Sequence, residues 1–239
     1  MAQPSTPQPA STVVLARPSA DGAFEIFMNR RPEKMDTYAG VYVFPGGRVE
    51  SADWSAPMLD LVRGISPADA QQKLGSAFGP EVCLGFWVAA VRELFEEVGI
   101  LLCVNQAGEE IALADAAANR RIELKRQAIV KRTLDFVTFL ESENLYCDLS
   151  RVVYFDHWVT PEIYSMRFDT RFYVAALPSN QAPLTRSEEV THSLWLKPTE
   201  ALARIDRRDF PILPPTTTVL NHLARLSSWD RLRAEFKLP

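Results

Sequence analysis

Two apolar runs, residues 12–17 and 24–29, flank Pro18-Ser19-Ala20-Asp21-Gly22, and the turn chemistry between them predicts a β-hairpin. Residues 41–44 predict a short third strand, ended by Pro45-Gly46-Gly47, where glycine lets backbone approach a ligand closely. Ser66 before Pro67 predicts an N-cap and first turn, opening a helix through Leu74. From about residue 81 to 98, Leu84, Val88, Val91, Phe95 and Val98 recur at helical spacing as one narrow apolar stripe, with Glu93, Glu96 and Glu97 on the opposite side. Gly99 fits the C′ position that ends this helix. Residues 100–104 predict a strand, and residues 113–143 two helices with a boundary at Thr133. Further strands are expected at 152–159, 171–176 and 192–196, the last ahead of a helix start at Lys197-Pro198-Thr199-Glu200. Helices at 216–226 and 229–236 follow the Pro214-Pro215 break. Strands interspersed with helices, without a regular βαβ repeat, predict an α/β fold with a mixed sheet. The first ten residues, mostly Pro, Ser, Gln, Thr and Ala, predict a disordered tail.

At 239 residues and 47% hydrophobic content, the chain can bury a sizeable core. A net charge of −4 gives no reason to expect nucleic acid or an acidic membrane as partner. No apolar run approaches the ~20 residues that span a bilayer. Cys83, Cys103 and Cys147 are isolated and odd in number, which predicts a reducing, cytoplasmic setting without disulfides. His157, His192 and His222 are far apart and no CxxC occurs, so zinc is not expected.

The stretch Arg92-Glu93-Leu94-Phe95-Glu96-Glu97-Val98-Gly99-Ile100 changes the picture. Glutamates three and four apart repel one another, and a helix C-terminus disfavours negative charge. Such a cluster calls for a cation, and hard divalent ions such as Mg²⁺ take carboxylate oxygens. Alone, it reads equally well as a solvated charged face. The Gly-Gly turn feeding the helix from upstream favours a ligand site.

Together these residues resemble the Nudix hydrolase signature, in which Gly, five residues, Glu and seven residues precede Arg-Glu-apolar-any-Glu-Glu-any-Gly-apolar. Residues 92–100 match its second half throughout. The first half begins at Gly47, but Asp53 stands in the glutamate's place, and 38 residues (92 − 53 − 1) separate it from Arg92. An insertion, residues 54–84, thus splits the box; loop-closure cost grows only logarithmically with length and tolerates it. Asp53 and Glu81 both remain candidates for the signature glutamate's part. The split box, His157-Trp158-Val159-Thr160-Pro161 and Arg167-Phe168-Asp169-Thr170-Arg171-Phe172-Tyr173 resemble the subgroup of this family that includes the mammalian peroxisomal coenzyme A diphosphatase.

The resemblance implies a Nudix-type α/β/α sandwich, a single domain over residues 11–239, with a helical insert at 105–150 and C-terminal helices at 214–237. It implies Mg²⁺ or Mn²⁺ held by Glu93, Glu96 and Glu97 with the carbonyl of Gly47, and Arg92 orienting a carboxylate. For the general base it implies a late-loop glutamate, Glu189 before Glu188, with Glu93 as a further candidate. Arg30, Arg31, Gly46 and Arg167 become the implied substrate contacts, although Arg167-Phe168-Asp169 reads equally as a clasp between loop and strand. The upstream pattern of coenzyme A enzymes is matched by Arg31, Gly40 and Phe44-Pro45-Gly46-Gly47; Pro32 and Asp36 depart from it. The implied reaction is hydrolysis of a diphosphate linkage, with coenzyme A or acyl-coenzyme A ahead of ADP-ribose, a dinucleotide or a nucleotide sugar. A non-catalytic metabolite-sensing module is the alternative of another class, and a homodimer is expected from the family. Arg120, Arg121, Lys125, Arg126, Lys131 and Arg132 are expected to form a solvated helix face; the alternative is a cap whose cations meet substrate phosphates.

Overall fold

The computed structural model describes residues 5–34, 39–75, 77–111, 115–185 and 192–239. The strands are β1 (Gln8–Pro18), β2 (Phe24–Arg30), β3 (Tyr42–Val43), β4 (Gly46–Arg48), β5 (Val62–Arg63), β6 (Cys103–Val104), β7 (Tyr146–Asp148), β8 (Val153–Val159), β9 (Phe168–Ala176) and β10 (His192–Leu196). The helices are α1 (Ala56–Leu59), α2 (Pro67–Leu74), α3 (Pro80–Val98), α4 (Ala116–Val130), α5 (Phe136–Glu143), α6 (Pro198–Asp206), α7 (Pro214–Ala224) and α8 (Trp229–Phe236). Among the described residues no helix is long and apolar enough to cross a membrane.

β1 is the axle of a mixed seven-stranded sheet ordered β10-β2-β1-β9-β8, with β3 beside β2 and β4 beside β1. It pairs antiparallel with β2 and β4 and parallel with β9. Alternation along β1 sets the layers. Val13 and Leu15 join Phe27, Tyr173, Ala175 and the apolar residues of α3 in one core. Val14 and Ala16 join Ile26, Met28 and Val174 in the other, covered by α6, α7 and α8. This is the expected α/β/α sandwich.

Several expectations need correction. β1 begins at Gln8, inside the stretch expected to be a tail, because Gln8 N–H donates to Arg167 O (2.9 Å) and Pro9 O accepts from Val49 N–H (2.9 Å). Weak β-propensity there is overridden by partners on both sides. Residues 100–104 are not one strand. Leu101 sends both backbone groups to the Gln181 side chain (2.8 and 3.0 Å), and only Cys103–Val104 pairs, in a separate sheet ordered β5-β7-β6. α7 starts at Pro214, since proline is tolerated in a first turn whose N–H groups lack helical partners anyway.

The insertion carries a 3₁₀ turn (Ser51–Trp54) leading into it, then α1, β5 and α2. Ser66 caps α2 by accepting from Asp69 N–H (3.1 Å), as its sequence predicts. The predicted stripe on α3 is buried, but so are Cys83, Phe86, Trp87, Ala89, Ala90 and Leu94. The helix is therefore enclosed, not merely laid on the sheet. At Gly85 a Cβ would stand 2.9 Å from Trp54 Cε3, so glycine is what lets the insertion close on α3. The break at Thr133 is where expected, with Arg132 in the left-handed region (φ 57°) and Asp135 capping α5.

Candidate active site

Arg92 is the joint that closes the split box. It is 3% exposed, and its guanidinium meets four groups. Nε and Nη2 grip the two oxygens of Asp53 (2.8 and 2.9 Å), and Nη2 also donates to Arg48 O (2.9 Å). Nη1 donates to Glu93 Oε1 (2.8 Å) and Glu96 Oε1 (3.2 Å). Asp53 in turn accepts from Glu50 N–H (2.8 Å), which fixes it at the start of the 3₁₀ turn. Asp53 thus meets Arg92 across the insertion, whereas Glu81 lies three turns before Glu93 on α3 and is exposed.

The glycine turn lies against the glutamates. Gly46 N–H donates to Glu97 Oε2 (3.2 Å), and a Cβ on Gly47 would sit 2.5 Å from the Glu93 carboxyl. Any side chain at Gly47 would fill that space. Pairing of β4 with β1, Gly47 opposite Ser11, holds the turn in place. At the far end of α3, Arg126 donates to Glu96 O and is itself gripped by Glu123 (2.7 Å). A cation on the last carbonyls offsets the helix-end charge that the glutamates aggravate.

Burial pushes the Glu93 carboxyl up to about 7, against the pull of Arg92 and with the help of nearby Glu96. Glu96 is raised for the same first reason, again opposed by Arg92. Burial also raises Asp53, while its two bonds from Arg92 hold it toward the charged form. For Arg92, burial works against the charge, but Asp53, Glu93 and Glu96 outweigh it and keep the guanidinium protonated. Crowded, desolvated carboxylates with raised pKa values are what a divalent cation would relieve.

Among the described residues, no three His, Cys, Asp or Glu side chains already converge on one point. Glu93 and Glu96 are turned onto Arg92, and Glu97 onto Gly46. The donor set still suits a hard cation. It is all oxygen, it comes from adjacent turns of one rigid helix, and the lack of a side chain at Gly47 lets the Glu93 carboxyl lie directly against the glycine turn.

The remaining predicted residues are less tightly gathered. Arg30 gives Nε to Gly40 O (3.1 Å) and Nη2 to Glu33 (2.7 Å); Arg31 keeps a buried Nε with no hydrogen-bond partner among the described residues. Arg167 is a clasp, donating to Thr160 O (2.9 Å) and Ser5 O (2.8 Å). Asp36, Glu188 and Glu189 lie outside the described residues. The basic block is not simply solvated: Arg121 and Lys125 pair with Glu143, Arg126 with Glu123, and Arg132 with Glu50. Arg171, which the sequence also offers as a phosphate contact, pairs with Asp169 two positions along β9 and lies opposite His157 on β8. That His157 shares Asp169 was missed, its signal being a histidine two positions from the aspartate's cross-strand neighbour Val159.

A model described as the NUDT19 Nudix domain matches residues 62–226, more than half of the chain. The chain belongs to the NUDT19 Nudix family. The matched segment holds Arg92, Glu93, Glu96 and Glu97; Gly47 and Asp53 lie upstream of it, Asp53 bonded to Arg92 and Gly47 set against the Glu93 carboxyl. An acyl-coenzyme A diphosphatase NUDT19 of Xenopus laevis is 27% identical over 87% of the chain and 62% of its own length. The Gallus gallus protein of the same name is 27% identical over 87% and 63%. A putative nudix hydrolase 7 of Caenorhabditis elegans is 26% identical over 86% and 57%. The Nudix chain thus spans about three fifths of these curated relatives' length. A crystal structure of a NUDIX hydrolase from Alicyclobacillus acidocaldarius superposes with a TM-score of 0.73, at 24% identity, over 95% of both chains. That likeness establishes the fold.

Proposed function

We propose that the protein hydrolyses the diphosphate linkage of coenzyme A or an acyl-coenzyme A, yielding 3′,5′-ADP and a phosphopantetheine product. The Arg92 assembly carries this reading, because it brings the glycine turn and the glutamate helix of a Nudix box to one place despite the insertion. The names borne by the relatives supply the substrate class. Glu93, Glu96 and Glu97 would hold Mg²⁺ or Mn²⁺, with the Gly47 carbonyl as a further oxygen donor. A bound divalent ion neutralises phosphate charge and lowers the pKa of water.

The chain's own residues do the rest. Arg92, anchored by Asp53, sets the direction of Glu93 and Glu96. Gly46 N–H steadies Glu97 and, with Gly47, leaves no side chain in the way of a diphosphate. Glu189, with Glu188 second, is the proposed acceptor of the attacking water's proton; Glu93 is the third choice. Attack at one phosphorus breaks its bond to the bridging oxygen, which leaves on the other phosphate. Arg31, with its unmatched Nε, and Arg30 are proposed phosphate contacts. The three cysteines are buried and form no disulfide among the described residues, and we place the protein in the cytoplasm as a homodimer without nucleic-acid or membrane partners.

The test is product release from coenzyme A, octanoyl-coenzyme A, ADP-ribose, NADH and a nucleotide sugar, with Mg²⁺ or Mn²⁺. Turnover of the coenzyme A compounds, abolished by Glu97→Gln in a folded protein, is the expected result. Preference for another diphosphate would discard the substrate; full activity of Glu97→Gln would discard the site. Binding of one compound without turnover of any would favour a metabolite sensor.

A further inference from the structure

Beside the glutamates lies a cavity of about 470 Å³, roofed by α5 and the turn before it and floored by the start of the insertion. Arg92 and Glu96 form its inner wall, so it is continuous with the site described above. Its volume falls within the range of small-molecule sites. The polar groups around it are already engaged. Arg132 and Glu50 grip each other with two hydrogen bonds (2.9 and 3.1 Å). Asp135 takes the N–H and hydroxyl of Thr138 (2.8 and 2.7 Å), and Thr133 Oγ1 donates to Ala128 O (3.1 Å). Asp53 is held by Arg92. Those groups are paired within the protein, and the rest of the wall is aliphatic and aromatic: Met58, Ile129, Leu134, Phe136 and Val137.

A nucleobase or sugar would need edge donors and acceptors here, and a buried polar ligand group without them is costly. An aliphatic chain needs none. We propose that this cavity receives the aliphatic acyl end of a thioester whose diphosphate lies on the glutamates, and that Val137 and Leu134 at its half-buried side limit the chain length accepted. This rests on the acyl-coenzyme A reading and adds residues that would read the acyl group. The cavity exists because the box is split. Met58 comes from the insertion and Ile129 and Phe136 from the helical insert, so two additions to the sandwich meet to form it.

The test compares kcat/KM for octanoyl-coenzyme A with that for free coenzyme A in the wild type, Val137→Trp, Leu134→Trp and Val137→Ala. A filled cavity should lower the octanoyl-to-free ratio by about tenfold or more, the scale on which apolar pockets discriminate by methylenes. Val137→Ala should keep the ratio and shift the preferred chain longer. A ratio unchanged in both tryptophan variants, each with wild-type thermal unfolding, would overturn the proposal while leaving diphosphatase activity standing. Binding of octanoyl-pantetheine, which has no phosphate, is the second readout, measured by calorimetry. If the wild type cleaves no coenzyme A compound yet binds this probe, and Val137→Trp weakens it about tenfold, the pocket stands and the reaction assignment falls. No binding of the probe would overturn the pocket by itself.

Discussion

Arg92 and Arg171 are both buried, 3% and 4% exposed, and both hold acidic side chains, yet they are built differently. Arg92 answers three carboxylates and a carbonyl, with Nε, Nη1 and Nη2 all engaged. Among the described residues Arg171 answers Asp169 alone, lies over the Phe86 ring at 5.0 Å, and keeps a buried Nε without a partner. Asp169 shares itself with His157, which is 39% exposed at its side chain. The first cluster is saturated and joins segments distant in the chain; the second ties two neighbouring strands. A buried arginine is a joint only when removing it strands charges on more than one element.

The largest expected effect follows from that contrast. Arg92→Met leaves Asp53 buried and unpaired and should cost about 3–5 kcal/mol in urea denaturation. Arg171→Met strands a carboxylate that keeps His157 and partial solvent, and should cost only about 1–2 kcal/mol. Equal losses would break the comparison. Next, Asp53→Asn keeps the shape of the joint but removes its charge, and should weaken Mg²⁺ binding about 10–100-fold by calorimetry. Asp169→Asn should leave Mg²⁺ affinity alone.

A pH dependence sharpens the same point. Burial lifts Glu93 to about 7, above its ordinary value of 4.5, so the folded protein binds that proton more tightly than the unfolded chain. Without metal, the stability contributed is present at low pH and lost as pH rises toward about 7. Metal binding needs the charged form and releases the proton, so Mg²⁺ affinity should fall as pH drops below about 7. Calorimetry in buffers of different ionisation heat reads the proton directly; affinity independent of pH would remove Glu93 from the ligand set. Smallest of all, Arg126→Met loses the bond to Glu96 O and the pairing with Glu123, whose carboxylate stays partly open to water, and should cost about 1 kcal/mol by thermal unfolding.

Much of this centre is legible in residues 92–100, because a helix converts spacing directly into direction. The strands around β1 are legible for the same reason, through alternation. The Asp53–Arg92 contact is not, since nothing local to either residue says that α1, β5 and α2 fold away and return the chain. Nor is the end of the tail: Gln8 and Pro9 become strand only because Arg167 and Val49 are there to bond them. Leu101 reads as strand by composition, yet its hydrogen bonds belong to Gln181, a side chain 80 residues away. The basic helix block reads as solvated because the sequence shows its charges but not the Glu50 and Glu143 that reach it from other elements. The cavity needs two such distant segments at once and leaves no mark on either.

β1 also sets a problem of biosynthesis. Its antiparallel neighbours β2 and β4 follow within the first fifty residues, but its parallel partner is Phe168–Ala176. From Gln8 to Ala16 the strand carries no charge that would discourage a stranger from pairing with it. A growing chain emerges from its N-terminus at about 5–20 residues per second, so this edge stays open for many seconds of synthesis. The parallel pairing at the centre of the sandwich is therefore also a long exposure of the nascent chain to aggregation.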